Sequence, residues 1–176
     1  MSAQEHVTFK GISMGEKLSS FTQQLVKEGF ESSSSFSGDT YKGFKGEFMG
    51  KSSIVIVYHT GSGVINHIVV LQEYSSWNRL SSAFDDATEL FTKKYGKPSD
   101  TFKFFQDPYY KGDGYELQAI RNDKCHYFYV WQIPNGNIAI TLRYLFGDYY
   151  LSITYEDDYN QNLRDTEADK KAFDDI

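Results

Sequence analysis

The chain has a single cysteine, Cys125, among its 176 residues. An internal disulfide is excluded, and the cysteine count carries no mark of an oxidising compartment. Long apolar runs are also missing: none approaches the roughly 18 residues that a membrane-crossing helix needs. A basic excess is lacking, since 18 Lys and Arg stand against 24 Asp and Glu, for a formal net charge of −6. That balance disfavours nucleic acid, which needs a basic face to meet its phosphates, and anionic lipid surfaces alike. Enzyme signatures are missing too. No G-x-S-x-G, P-loop or G-x-G-x-x-G occurs, and Gly61-Ser62-Gly63 reads as a hairpin turn rather than a phosphate cradle.

What the chain has in abundance is aromatic side chains. Fourteen Tyr and fourteen Phe raise the aromatic share to 17% within an ordinary hydrophobic share of 40%. Most must be core, and a surplus on the surface would suit binding, because Tyr offers wide contact at little entropic cost.

The clearest helical period lies in residues 77–98. Trp77, Leu80, Phe84, Ala87 and Phe91 recur at steps of three and four, and Gly96 with Pro98 supplies a stop. Strand-like sequence lies on both sides. Residues 7–12 read as a short strand, followed by a helix with Met14, Leu18, Phe21 and Leu25 on one face. Ser13 and Glu16 fit a capping box at its start, and Gly29 ends it. The serine run 32–37 reads as a linker or an irregular edge strand. Residues 41–48, with Gly43 and Gly46, suggest a bent or bulged strand. Residues 54–58 and 64–71 form a hairpin that pairs Tyr58 with Ile65 and Ile56 with His67 if its turn has two residues.

After the central helix, strands are predicted at 101–106, 115–121, 127–133, 138–146 and 149–155. A turn at Asn135-Gly136 pairs Tyr129 with Leu142 and Tyr127 with Tyr144; a second at Gly147-Asp148 sets Leu145 beside Tyr150. Trp131, Leu142 and Ile153 then share the core face. Phe128, Arg143 and Tyr150 share the other.

The two halves resemble each other. Leu18-Ser19-Ser20-Phe21 recurs as Leu80-Ser81-Ser82-Ala83-Phe84, and Tyr41-Lys42-Gly43 as Tyr110-Lys111-Gly112. The expected fold is therefore α+β and strand-dominated: one domain over 1–155, in two pseudo-repeated halves (about 7–72 and 76–155). Each half is a helix followed by about four antiparallel strands. Residues 156–176 are charged and read as a loosely ordered tail or a marginal helix.

Candidate chemistry is sparse. His59 and His67 fall on opposite hairpin faces, so no shared metal is expected, and adjacent Cys125 and His126 point apart along a strand. Asp158, Asn160 and Asn162 alternate like the start of a calcium loop, but Leu163 replaces the required glycine. Asp85 and Asp86 read as a solvated helix face. No catalytic residue, metal or cofactor is assigned. What remains is aromatic surface: Tyr109, Tyr110 and Tyr115 in a Gly-rich loop, and Phe128, Arg143 and Tyr150 on the outer sheet face.

Phe9-Lys10-Gly11-Ile12, Lys27-Glu28-Gly29-Phe30, Gly43-Phe44-Lys45-Gly46-Glu47-Phe48 and the stretch 149–160, closing in Asp157-Asp158-Tyr159-Asn160, resemble a family of small exported proteins of Bacteroidetes-type bacteria. The duplicated helix-and-sheet plan is similar to the architecture of β-lactamase-inhibitor proteins. The first resemblance implies export but no activity. Small residues at Met1-Ser2-Ala3-Gln4 fit a trimmed secretory signal, with a native cytoplasmic start as the alternative. The expected function is a non-catalytic, monomeric binding protein of the cell envelope or exterior, recognising a protein, peptide or glycan through an aromatic sheet face. An envelope hydrolase with an unrecognised site and a structural accessory subunit are the alternatives.

Overall fold

The computed structural model describes residues 4–176, so most of the Met1–Gln4 export signature lies outside the described residues. Among these residues are ten strands and four helices. A small hairpin, β1 (Thr8–Phe9) with β2 (Ile12–Ser13), stands apart from one large antiparallel sheet. Eight strands make up that sheet: β3 (Glu31–Ser33), β4 (Tyr41–Phe48), β5 (Lys51–His59), β6 (Ile65–Glu73), β7 (Asp100–Phe105), β8 (Cys125–Ile133), β9 (Gly136–Leu145) and β10 (Asp148–Asp157). They hydrogen-bond in the order β3-β4-β5-β6-β10-β9-β8-β7. The four helices are α1 (Leu18–Lys27), α2 (Trp77–Tyr95), α3 (Glu116–Arg121) and α4 (Asp158–Asp174). The class is α+β and strand-dominated, as expected. Each half of the sequence supplies a helix and then four strands, with α3 inserted between β7 and β8.

The compact units do not follow those sequence halves. One comprises Met1–Val69, Pro134–Asn137 and Tyr155–Ile176; the other comprises Val70–Ile133 and Ile138–Thr154. The chain passes between them four times: inside β6, at the end of β8, inside β9 and inside β10.

In the first unit Phe9 is fully buried, stacked on Phe48 at 5.5 Å and edge-on to Tyr155 at 5.2 Å. α1 buries Phe21 and Leu25. Its start corrects the expected capping box: Ser13 belongs to β2 and its Oγ accepts the Gly15 amide in a tight turn, so the helix begins at Leu18 behind Lys17. β4 is not bulged. It pairs with β5 through eight consecutive residues, from Tyr41↔Tyr58 to Phe48↔Lys51. Gly43 and Gly46 make room instead, because a Cβ there would run into the backbone and Cβ of Phe36 and into the ring of Phe30 respectively.

The β5–β6 loop is one residue longer than a two-residue turn. The Thr60 amide donates to the Val64 carbonyl at 2.9 Å, and Gly63 takes the extra left-handed position at φ +85°. His67 stacks on Tyr58 at 4.2 Å.

The C-terminal stretch, expected as a loosely ordered tail or a marginal helix, is helix α4, and its first turn is anchored firmly. Asp157, with no solvent exposure, caps it by accepting the Asn160 amide at 2.9 Å. The same carboxylate accepts the Val7 amide at 2.9 Å and lies 3.1 Å from His6 Nδ1. Asn160 Nδ2 donates to the carbonyls of Met14 and Ile65. Beyond Leu163 the helix is exposed, apart from a contact of Glu167 with the Ser62 hydroxyl.

In the second unit α2 forms as its period predicts. Ser76 Oγ caps it by accepting the Arg79 amide, Gly96 ends it at φ +85°, and Leu80, Phe84, Ala87 and Phe91 are buried. Trp77, half-buried, meets Phe105 and Tyr127 edge-on. Phe84 meets Tyr127 and Tyr129, and Phe91 meets Trp131, whose indole N–H donates to the Gly96 carbonyl. Thus α2 covers the odd-numbered face of β8. The stretch 115–121 is helix α3 rather than a strand: Glu116, Ala119 and Ile120, at steps of three and four, are its buried residues.

Candidate binding surface

The face of β8 turned away from α2 carries Phe128, and register with β7 completes an aromatic ladder. Phe102 pairs with Phe128 and Phe104 with His126. The paired rings lie 6.4 Å apart at an interplanar angle of 27° in the first pair, and 4.9 Å apart at 31° in the second. Such large apolar groups normally go inside; here Phe102 is 48% exposed, Phe104 50% and Phe128 38%. Strand alternation explains the placement. Lys103 points to the other face, where its ammonium meets Asp85 of α2 at 2.7 Å and lies over the Tyr127 ring. Phe105, on that same side, packs on Trp77 and Tyr127.

Of the residues expected on this surface, Phe128 and Arg143 are exposed. Tyr150 is not: it is 3% exposed, and burial, with Asp148 and Glu73 nearby, raises its phenol pKa. Alternation placed it on the correct strand parity, yet parity does not tell whether a face is open at that point. The turns explain the rest. The β8–β9 loop is Pro134-Asn135, with Asn135 at φ +70°, and the β9–β10 loop is Phe146-Gly147, at φ +54° and +86°. Each turn sits one residue earlier than expected, which slides every pair by two residues and keeps each side chain on its face. Counting from the second turn sets Arg143 opposite Tyr150.

Tyr109, Tyr110 and Tyr115 form a separate patch. Asp113 organises their loop by accepting the amides of Tyr110 and Tyr115 at 3.0 and 2.8 Å. The Tyr109 hydroxyl accepts from Asn122, while Tyr110 and Tyr115 are mostly exposed. Sequence reading missed Phe102 and Phe104. The signal was there, two Phe two residues apart on a strand, with Lys103 between them to mark the opposite side.

A polar cleft of about 540 Å³ is lined by His67, Glu156, Asp158 and Asp165 among others, with no Ser, Thr or Cys in its wall. His67 Nδ1 accepts from Asn66 there, and Arg164 is paired with Asp165 at 2.8 Å. Burial pushes the Cys125 thiol up to about 12, against a lowering hydrogen bond from the Tyr127 backbone, and Glu116 adds to the rise. A thiol so hard to ionise is a poor nucleophile. Among the described residues no group of three or more His, Cys, Asp or Glu could hold a metal ion, and no helix is long and apolar enough to cross a membrane. Comparison with family models, curated proteins and solved structures finds no match for this chain.

Proposed function

We propose that the protein is a non-catalytic binding protein whose contact surface is the open aromatic face of β7 and β8. One observation carries the reading: Phe102, Phe104 and Phe128 stand exposed in register on strands whose other face is packed by α2. Keeping three phenylalanines in water has no stabilising purpose, and aromatic anchors of this kind dominate binding energy once a partner desolvates them. Arg143, on the same sheet face, adds a planar cation that stacks and donates hydrogen bonds at once.

Action at the cell envelope or exterior belongs to this reading, supported by the sequence resemblance to small exported proteins. Fractionating cells that carry the native gene checks it, and recovery of all the protein in the cytoplasm would overturn it.

The binding role is tested by comparing immobilised wild type with a Phe102→Ser, Phe104→Ser variant in extracts of the source cells. A partner held by the first should be lost from the second while thermal stability stays level. Equal retention by both would remove the face from the function.

A further inference from the structure

We propose that β7 accepts a strand: an extended segment of a partner protein, apolar at alternate positions and flanked by basic residues, adds to its free edge. This deepens the binding role above and rests on it.

The two sheet edges are treated differently by the sequence. β3 has only three residues and runs straight into a 3₁₀ turn at Ser34–Phe36. Short edges of that kind resist pairing with other chains. β7 has six residues, lies last in the strand order and pairs with β8 without a break from Asp100↔Val130 to Phe105↔Cys125. It contains no proline, glycine or bulge, and its one lysine is turned to Asp85. In an antiparallel ladder only alternate residues bond to a given neighbour, so half of β7's amides and carbonyls face away from β8. Those groups are a hydrogen-bonding template that only another extended backbone matches.

The side chains on β7 leave room for that strand. Asp100 to Phe104 are all exposed, on both faces. An added strand would lay alternate side chains beside Phe102 and Phe104, extending the ladder by one rung, and those positions call for apolar residues.

Charge selects the flanks. Lys103 is already matched by Asp85, whereas Asp100 at one end of β7 and Asp107 just past the other are exposed carboxylates. A chain of net charge −6 attracts basic segments at long range, and these two acids hold the ends in place. The same charges disfavour a second copy of this chain as occupant. The antiparallel register that stacks Phe102 on the copy's Phe104 also sets two copies of Lys103 face to face.

The test uses the whole protein and synthetic peptides of six alternating Val and Thr residues, with two lysines at each end, followed by fluorescence anisotropy. Control peptides carry glutamates in place of the lysines, or N-methyl groups on every second residue along one backbone edge or the other. Binding of the lysine peptide is expected, with at least about tenfold loss for the glutamate peptide. N-methylation should abolish binding along one edge and spare it along the other. No binding at millimolar peptide, or equal binding of both N-methylated forms, overturns strand addition. If Phe102→Ser, Phe104→Ser still loses the natural partner in that case, the aromatic face stands as the contact surface and only its mode is refuted. Peptide-dependent dimers would show that two copies share the strand, which also overturns the proposal.

Discussion

The carboxylate of Asp157 accepts the backbone amide of Val7 at 2.9 Å, joining residues 150 apart in sequence, and solvent does not reach it. The same group caps α4 through the Asn160 amide. Changing Asp157 to Ala leaves two buried amides without acceptors, each costing about 1–3 kcal/mol. Urea denaturation should therefore show a loss of about 2–6 kcal/mol, with the denaturant slope unchanged. A loss under about 1 kcal/mol would show that water replaces the carboxylate freely.

Ending the chain after Leu163 should be mild by comparison. The rest of α4 is exposed, so removing it should cost less than about 1 kcal/mol in the same assay. Ending it before Asp157 should abolish cooperative folding. The dividing line between tail and domain thus runs inside α4, not at residue 156 as composition suggests.

Gly136 tests how closely the strands approach. A Cβ there would overlap the Glu156 carbonyl and a methyl group of Val7. Its backbone is not left-handed, so conformational preference does not demand glycine; space does. Gly136→Ala should destabilise by about 1–3 kcal/mol, as overpacking does, and a Val7→Ala change on top should recover little because the carbonyl cannot retreat. Full recovery in the double variant, read from thermal midpoints, would place the whole cost on the methyl contact.

Much of this was legible because side-chain direction has short periods. The 3.6-residue period of Leu80, Phe84, Ala87 and Phe91 fixed α2, and the two-residue period of β8 and β9 separated Trp131 and Leu142 from Phe128 and Arg143. Register was less legible. Asn135-Gly136 has the chemistry of a tight hairpin turn, but Pro134 at its fixed φ followed by Asn135 at +70° makes the turn one residue earlier. Phe146 at φ +54° is a position local preference would not choose, and strand pairing overrides it. α3 was hidden because Tyr115 and Ile120 favour strands, while burial at steps of three and four arises only from packing. The buried network of Asp157 and Asn160 had no local signature: its partners Val7, Met14 and Ile65 are distant in sequence.

Phe84 is fully buried between Tyr127 and Tyr129. Phe84→Ala removes the ring and leaves a cavity, at a cost of about 3–5 kcal/mol on chemical denaturation. The exposed pair should behave oppositely. Phe102→Ser with Phe104→Ser should change stability by less than about 1 kcal/mol, because exposed rings gain little from folding. Similar losses for both variants would mean that the aromatic ladder is a structural element in its own right.

Cys125 gives the sharpest dependence on pH. Burial raises its thiol from 9.0 in the unfolded chain to about 12 in the folded one, and Tyr127, also raised by burial, goes from 10.0 to about 12. Both groups are neutral acids, so above pH 9 the unfolded chain loses protons that the folded chain keeps. Unfolding is then favoured: the contribution of these two groups to stability should be level below about pH 8.5 and fall as pH rises toward 12, first through Cys125 and then through both groups. Cys125→Ala removes the first part of that decline, so from about pH 8 to about pH 10 the urea midpoint of wild type should fall relative to that of the variant. A thiol reagent should label the folded protein slowly near pH 8 and the urea-unfolded chain at once. Rapid labelling without denaturant, or a Cys125→Ala midpoint that declines in parallel with wild type, would show that the thiol ionises as readily folded as unfolded.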